Sequence, residues 1–353
     1  MAEPSTESPL RVGVVGVGGI LGTHMPGWEA SPHTTVAACC DVREEAATGF
    51  AKKREIETVY TDYEKLLADD SIDVIDLAVP TAFHAPMTIQ ALEAGKHVFC
   101  EKPLAPTPKE IEQIIEARDK SGKMTCTMQN QRYTPESKAL RRRFHAGDLG
   151  NVYHARLWWL RRTQLPARPG FVYKKNSGGG PCIDIGVHIL DLALWLMGNR
   201  KPVAVSGTAR KEVAAVPGAW SSWGGDVPPD MDVEDFAAGF VRLDDGSTLI
   251  LEVSWLMHHP QEEVRAWFYG SEGGVTYPDG TVYKSDNEAK MIYDVNLKPG
   301  KNALGDHALC CMDFAEALVT GGDSPVPAEQ SLAVMRILDG LYRSEASGGE
   351  VRF

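Results

Sequence analysis

The 353-residue chain contains no Cys-x-x-Cys pair. Its seven cysteines, Cys39, Cys40, Cys100, Cys126, Cys182, Cys310 and Cys311, include two adjacent pairs but no spacing suited to zinc, and they suggest no disulfide framework. Reduced, mostly buried thiols and no metal are expected. The chain also lacks a surplus of basic residues. With 36 Lys and Arg against 48 Asp and Glu, the formal net charge is −12 and the pI about 5.3. Binding to a phosphate backbone needs clustered cations, so no nucleic-acid partner is expected. No uninterrupted apolar stretch approaches the ~18 to 20 residues of a membrane span, and the opening MAEPSTESPL has neither a charged n-region nor an apolar h-region. A disordered tail over 1–10 on a cytoplasmic protein, with no membrane partner, is the expectation.

What is present divides into two textures. From Arg11 onward, the short apolar runs RVGVVG, TTVAACCD, VIDLAVP, KHVFCE and KMTCTMQ alternate with helical stretches such as EEAATGFAKKREI and PKEIEQIIEARDKSG. Strand and helix in alternation predict βαβ units, and hence a doubly wound parallel sheet over 11–131. Beyond it come the longer strand candidates NVYHARLWWLRR, KPVAVSGTARKEV, EDFAAGFVRL, STLILEVSWLMHH and EEVRAWFYGS, with turn signals at DDGS and PDGT. They predict a second α/β domain over 132–353 with a large, mostly antiparallel open sheet. A helix over 183–197 is expected to lie against that sheet, and the last helices to return to the first domain. A partly apolar sheet face is commonly covered by another copy, so a homodimer or homotetramer is expected.

At the end of RVGVVG the chain enters GVGGILG, which sets Gly16, Gly18 and Gly19 at the mouth of the next helix. Glycine there permits a tight turn and close approach to a pyrophosphate, whose charge the helix N-terminus favours. Ile20 and Leu21 follow, with Leu21 where a strict G-x-G-x-x-G has its third glycine. Asp41 closes the second strand, where a carboxylate accepts from ribose hydroxyls and favours NAD. Arg43 nearby keeps NADP open as the alternative.

Ligands of open α/β sheets bind beyond the carboxyl ends of the strands. Pro80, Thr81 and His84 follow the fourth strand there, Glu101 and Lys102 the fifth, and Asn130 and Gln131 the last. In the second half, PCIDIGVHILDLALWLMG buries Asp184, His188 and Asp191 among apolar residues, and a buried charge is costly unless paired or used.

EKP after a strand, G-x-G-G at the first turn and GGG-x-x-x-D-x-G-x-H-x-x-D further on together resemble the glucose-fructose oxidoreductase, inositol dehydrogenase and MocA family. The resemblance spans roughly 11–345, including NQRY and the SW of LEVSW. It implies an N-terminal Rossmann domain, a C-terminal substrate domain, and NAD(P)-dependent oxidation or reduction of a sugar, sugar-derivative or cyclitol hydroxyl. By position it implies that Lys102, Asp184 and His188 are catalytic and also meet substrate. Residues four apart share a helix face, which suits Asp184 and His188 to a common task. His188, with an ordinary pKa of ~6.5, suits proton transfer from a hydroxyl. Lys102 suits stabilisation of developing alkoxide charge, and Asp184 would hold the substrate or favour the useful charge state of its neighbours.

Arg161, Arg162, Tyr173, Lys174 and Lys175 flank the loop before SGGG, where a polyhydroxylated or acidic substrate would meet them. Asp191 divides between substrate contact and structural hydrogen bonding. His307 is a further pocket candidate, while Trp158, Trp159 and Trp195 read as core or sheet-face packing. Two other functions fit the same motifs: glycoside cleavage by transient oxidation and elimination on retained NAD, and nucleotide sensing without catalysis.

Overall fold

The computed structural model describes residues 8–353, so residues 1–7 of the expected tail lie outside it. Leu10, also assigned to the tail, instead opens the first strand opposite Thr34. The chain forms two compact units. One comprises the chain up to Ala105 with Lys109–Asn130 and Ala303–Glu329; the other comprises Pro106–Pro108, Gln131–Asn302 and Gln330–Phe353.

The first unit is a six-stranded parallel sheet in the order β3-β2-β1-β4-β5-β6. Its strands are β1 (Leu10–Val15), β2 (Thr34–Cys40), β3 (Thr58–Tyr60), β4 (Val74–Leu77), β5 (His97–Cys100) and β6 (Thr125–Thr127). Helices α1 (Leu21–Ala30), α2 (Glu44–Arg54), α3 (Tyr63–Leu67), α4 (His84–Glu93) and α5 (Pro108–Ser121) make the crossovers. Val12, Val14 and all of β4 are buried, as expected for strands covered on both faces. On α5, Ile111, Ile114 and Ala117 form the buried stripe. The strand order reverses between β1 and β4, which makes the carboxyl ends of these strands the crevice of the unit.

The second unit opens with α6 (Pro135–His145), capped by Thr134 accepting from the Ser137 N–H. Strand β7 (Val152–Leu160) leads to the short helices α7 (Pro169–Val172) and α8 (Lys174–Ser177), then to a π-helical turn, Cys182–Gly186, that runs into α9 (Val187–Leu196). The expected single helix over 183–197 therefore begins with a wider turn. Strands β8 (Pro202–Arg210), β9 (Trp220–Ser221), β10 (Gly225–Asp226), β11 (Phe236–Leu243), β12 (Thr248–Ser254), β13 (Glu263–Gly270), β14 (Gly274–Tyr277), β15 (Thr281–Asp286) and β16 (Met291–Asn296) follow. After α10 (Asp306–Thr320), which packs on α1 within the first unit, come α11 (Ala328–Ser347) and β17 (Val351–Arg352).

Nine strands form one open sheet in the order β16-β15-β14-β13-β7-β12-β11-β8-β17. Every pairing is antiparallel except β7 with β12, which run parallel and end together at Leu160 and Ser254. The π-turn lies on β12 and α9 on β7. By length and composition the run Lys174–Leu196 is long and apolar enough to cross a membrane, although polar residues interrupt it. Its most apolar window is 83% buried inside the fold, as in a core helix. All seven cysteines are buried and none forms a disulfide.

Candidate functional site

In the first unit, β1 ends at Gly16, whose φ is +83°, and a Cβ there would stand 2.5 Å from the Ala78 carbonyl oxygen at the end of β4. Only glycine lets the two strand ends approach so closely. At Gly18 and Gly19 an added Cβ would meet nothing within 4 Å, so this backbone faces open space at the crevice. Ile20, 40% exposed, borders it, whereas Leu21 is fully buried. Leu21 is thus a core residue and not, through its side chain, part of a cofactor surface.

Asp41 accepts from the Val17 N–H at 3.1 Å through Oδ2, and from the Arg43 N–H and Nε at 2.9 and 3.3 Å through Oδ1. Burial pushes its carboxyl up, but these hydrogen bonds and the Arg43 charge outweigh burial and leave it below the ordinary carboxylate range. An anion therefore sits at the end of β2. The Arg43 side chain is 70% exposed.

Beneath the turn after β5 lies a buried network that the sequence did not reveal. His24 on α1 pairs through Nδ1 with Asp76 at 3.0 Å and through Nε2 with Glu101 at 2.9 Å, while Trp28 donates to Asp76 at 2.7 Å. Burial alone would lower the His24 pKa, but the Asp76 charge and hydrogen bond, followed by those of Glu101, raise it to about 10. The ring is an imidazolium between two carboxylates. Glu101 is in turn held below its ordinary range: burial raises it, and the His24 hydrogen bond and charge prevail. The other Glu101 oxygen accepts the Lys102 N–H at 3.0 Å, which fixes the turn that carries Lys102. Glu101, expected at the cofactor, is therefore a brace for its neighbour. His307 stacks on His24 at 6.1 Å, and burial lowers its pKa.

His84 also departs from its expected role. It is 1% exposed, with Nδ1 2.6 Å from the Pro103 carbonyl and Nε2 2.8 Å from that of Val79, so it ties together the exits of β4 and β5. Pro80 is exposed and Thr81 half-buried at the start of a 3₁₀ turn over Thr81–Phe83. Just beyond β6, Gln129 Oε1 and Asn130 Oδ1 are buried atoms with no hydrogen-bond partner among the described residues. Buried acceptors of this kind carry a cost unless a ligand supplies the donor. The exposed glycine backbone, the strand-end carboxylate and an amide acceptor at the last strand together suit a dinucleotide.

In the second unit the site is built where β7 and β12 end. Asp184, on the π-turn, accepts from the buried Trp255 Nε1 at 3.2 Å and lies 3.8 Å from the Arg161 guanidinium. Arg161 is buried and binds Glu262 at 3.0 Å, and Trp159 Nε1 donates to the same Glu262 oxygen at 3.0 Å. The Arg161 guanidinium lies over Trp159, 5.5 Å from its ring centre, and the His188 ring lies 6.0 Å from Trp159. Asp184, Arg161, Trp159 and His188 thus form one connected cluster. Trp159 belongs to the site side of the sheet, while Trp158 lies on the opposite face, edge-on to Trp267 at 5.5 Å.

The glycines before this turn have a steric reason. A Cβ on Gly180 would stand 2.0 Å from the Glu234 carbonyl oxygen, and the buried Glu234 carboxylate accepts from the Gly180 and Cys182 N–H groups at 3.0 Å and from Tyr342 at 2.9 Å. Glu234 secures the start of the helix and is not a site group. Burial raises its pKa despite these donors.

The remaining expected residues separate clearly. Arg162 is exposed and donates to the Pro260 carbonyl at 3.2 Å. Tyr173 donates to Asp230 at 2.9 Å, Lys174 is exposed with its ammonium 5.4 Å from the centre of the Tyr342 ring, and Lys175 is exposed. These four stand outside the Asp184 cluster. Gln131, expected near the nicotinamide, accepts from Tyr277 at 2.9 Å within the second unit. Asp191 is fully buried in a two-pronged pair with Arg132, at 2.7 and 2.6 Å. It is structural.

Comparison with known proteins agrees with this geometry. The domain described as "Oxidoreductase family, NAD-binding Rossmann fold" matches residues 10–129, and the GFO/IDH/MocA C-terminal domain matches residues 137–276. D-glucoside 3-dehydrogenase of Escherichia coli (strain K12) is 29% identical over 356 residues, covering 99% of both chains. A putative UDP-kanosamine synthase oxidoreductase subunit of Amycolatopsis mediterranei is 30% identical, covering 88% of this chain and 89% of that one. The solved structure of levoglucosan dehydrogenase in complex with NADH and L-sorbose shares the fold with a TM-score of 0.85 at 23% identity, covering 98% of this chain and 99% of that one. On the two domain matches and the fold, this chain is an NAD-dependent oxidoreductase and belongs to the Gfo/Idh/MocA family.

Proposed function

We propose that the enzyme oxidises, or in reverse reduces, a secondary hydroxyl of a sugar, sugar derivative or cyclitol. The observation that carries this reading is the Asp184, Arg161, Trp159 and His188 cluster, in which polar and charged groups meet aromatic rings at the ends of two parallel strands. Hydroxyl groups need hydrogen-bond partners, and the carbon faces of a sugar ring suit indole. The name of the Escherichia coli relative, a D-glucoside 3-dehydrogenase similar over its whole length, supports it.

Gly16, Gly18 and Gly19 would receive the pyrophosphate, Asp41 the adenosine ribose hydroxyls, and Asn130 the nicotinamide amide. When bound, NAD supplies the acceptor for the hydride that leaves the substrate carbon. The chain supplies the rest. His188 takes the hydroxyl proton, Lys102 stabilises the oxygen as negative charge develops, and Asp184 accepts from a substrate hydroxyl while Arg161 offers its guanidinium to a neighbouring oxygen. His24 and Glu101 keep the Lys102 turn in place.

The face of the nine-stranded sheet opposite α9 carries His154, Arg156, Trp158, Trp267 and Tyr269 on adjacent strands. A second copy seated there would make the homodimer or homotetramer expected from the sequence; sedimentation as a monomer would reject it. Buried reduced thiols suit a cytoplasmic enzyme.

The test of function is a screen of sugars, sugar acids, inositols and glycosides with NAD and NADP. It follows reduced-nicotinamide absorbance together with product mass. Oxidation yields reduced cofactor and a keto product in equal amounts. Release of a free sugar from a glycoside without net cofactor reduction would assign the elimination chemistry instead, and binding of NAD with no turnover of any compound would reject an enzymatic role.

A further inference from the structure

One contact beyond Asp184, on the far end of the Arg161 link, stands Trp223. It is 53% exposed, in the turn of the β9–β10 hairpin, with the Arg161 guanidinium 4.6 Å from its ring centre. That same guanidinium reaches Asp184. The Arg161 guanidinium thus lies over both Trp159 and Trp223, and the same group links Trp223 to the Asp184 carboxylate.

The hairpin is held firmly. Ser221 Oγ donates to the Thr163 and Leu165 carbonyls at 3.0 and 2.6 Å, the Ser222 N–H and Oγ both reach the Thr163 carbonyl at 2.7 and 2.8 Å, and the Trp223 N–H donates back to Ser221 Oγ at 3.2 Å. Ser221 is 2% exposed. A large indole left half in water on so anchored a turn is not there to fill a core. Its position is set by the backbone, and a rigid aromatic surface binds at little entropic cost.

We propose that Trp223 is a stacking platform for the part of the substrate next to the reacting ring, so that a glycoside or oligosaccharide is bound more tightly than the corresponding free monosaccharide. This rests on the function proposed above and narrows it. A ring whose hydroxyls meet Asp184 and His188 is separated from the Trp223 face by Arg161, whereas the group attached through its glycosidic oxygen extends past that guanidinium. The C–H face of a second sugar, or an apolar aglycone, would lie on the indole. Arg161 and its partner Glu262 would then meet the hydroxyls between the two.

Two measurements test it. In the first, Trp223→Ala and Trp223→Phe are compared with wild type on a β-glucoside, a disaccharide and the corresponding free sugar. The Ala variant is expected to raise KM for the glycoside and disaccharide about five- to tenfold, in line with about 1 kcal/mol for an aromatic contact, with kcat and the free-sugar KM unchanged and most of the loss restored by Phe. Equal effects on all three compounds, or none on any, would overturn the proposal. In the second, quenching of tryptophan fluorescence by the same glycosides is followed without turnover, and quenching that disappears in Trp223→Phe is expected. If the wild type oxidises glycosides but neither readout depends on Trp223, the platform is wrong and the function stands. If glycosides bind through Trp223 without being oxidised, the platform stands and the function is wrong.

Discussion

Arg132 grips Asp191 with two hydrogen bonds, Nε to Oδ2 at 2.7 Å and Nη2 to Oδ1 at 2.6 Å, and both side chains are almost wholly out of water. The third Arg132 nitrogen donates to Gln330 at 2.6 Å. This pair explains why an aspartate occurs in the middle of the apolar run of α9. Removing one partner leaves the other charge buried and alone, so Asp191→Ala should cost about 3–5 kcal/mol, read as a lower urea midpoint. Replacing both residues by Leu should recover much of that loss. A midpoint unchanged in Asp191→Ala would show that the pair contributes nothing.

The His24 network predicts a particular pH profile of stability. A group whose folded pKa stands near 10 against 6.5 unfolded stabilises the protein fully below about 6.5 and loses that contribution as pH rises through the folded value. Urea midpoints should therefore fall between about pH 6.5 and 10. In His24→Gln this decline should flatten, because the replaced side chain does not titrate. An identical slope in the variant would mean that other groups govern alkaline unfolding.

Asp41 should decide the choice of cofactor. Its carboxylate, kept ionised by Arg43 and the Val17 N–H, would repel a 2′-phosphate and accept from a 2′-hydroxyl. Asp41→Ala is expected to weaken NAD by about tenfold, the value of roughly 1.4 kcal/mol of lost interaction, while NADP improves relative to it now that Arg43 is released. Unchanged discrimination, measured as the ratio of kcat/KM for the two cofactors, would place the nucleotide ribose elsewhere.

Local pattern carried much of this into the sequence. Strands buried on both faces and separated by amphipathic helices are readable because burial is written into neighbouring residues, and GVGGILG, EKP and DIGVH each place their groups on one turn. Asp184 and Arg161 were both legible as candidates, but not their meeting at the ends of β7 and β12. His24 was not legible at all, since its partners Asp76 and Glu101 lie 52 and 77 residues away and a single histidine in a helix announces nothing. The internal bonds of Glu101 and His84 were hidden for a related reason. Both lie at strand ends where a ligand belongs, and both turn inward to brace the loops around it. Trp223 lay in a loop without periodicity, so no pattern set it apart.

Lys102 and His188 carry the proposed charge stabilisation and proton transfer, and each can be tested by itself. The most direct measurement compares kcat, for the best substrate of the screen, and NAD affinity in Lys102→Ala, His188→Ala and wild type. A fall in kcat of about 10²- to 10⁴-fold is expected in each variant, with NAD affinity preserved. Turnover at the wild-type rate in either variant would contradict it.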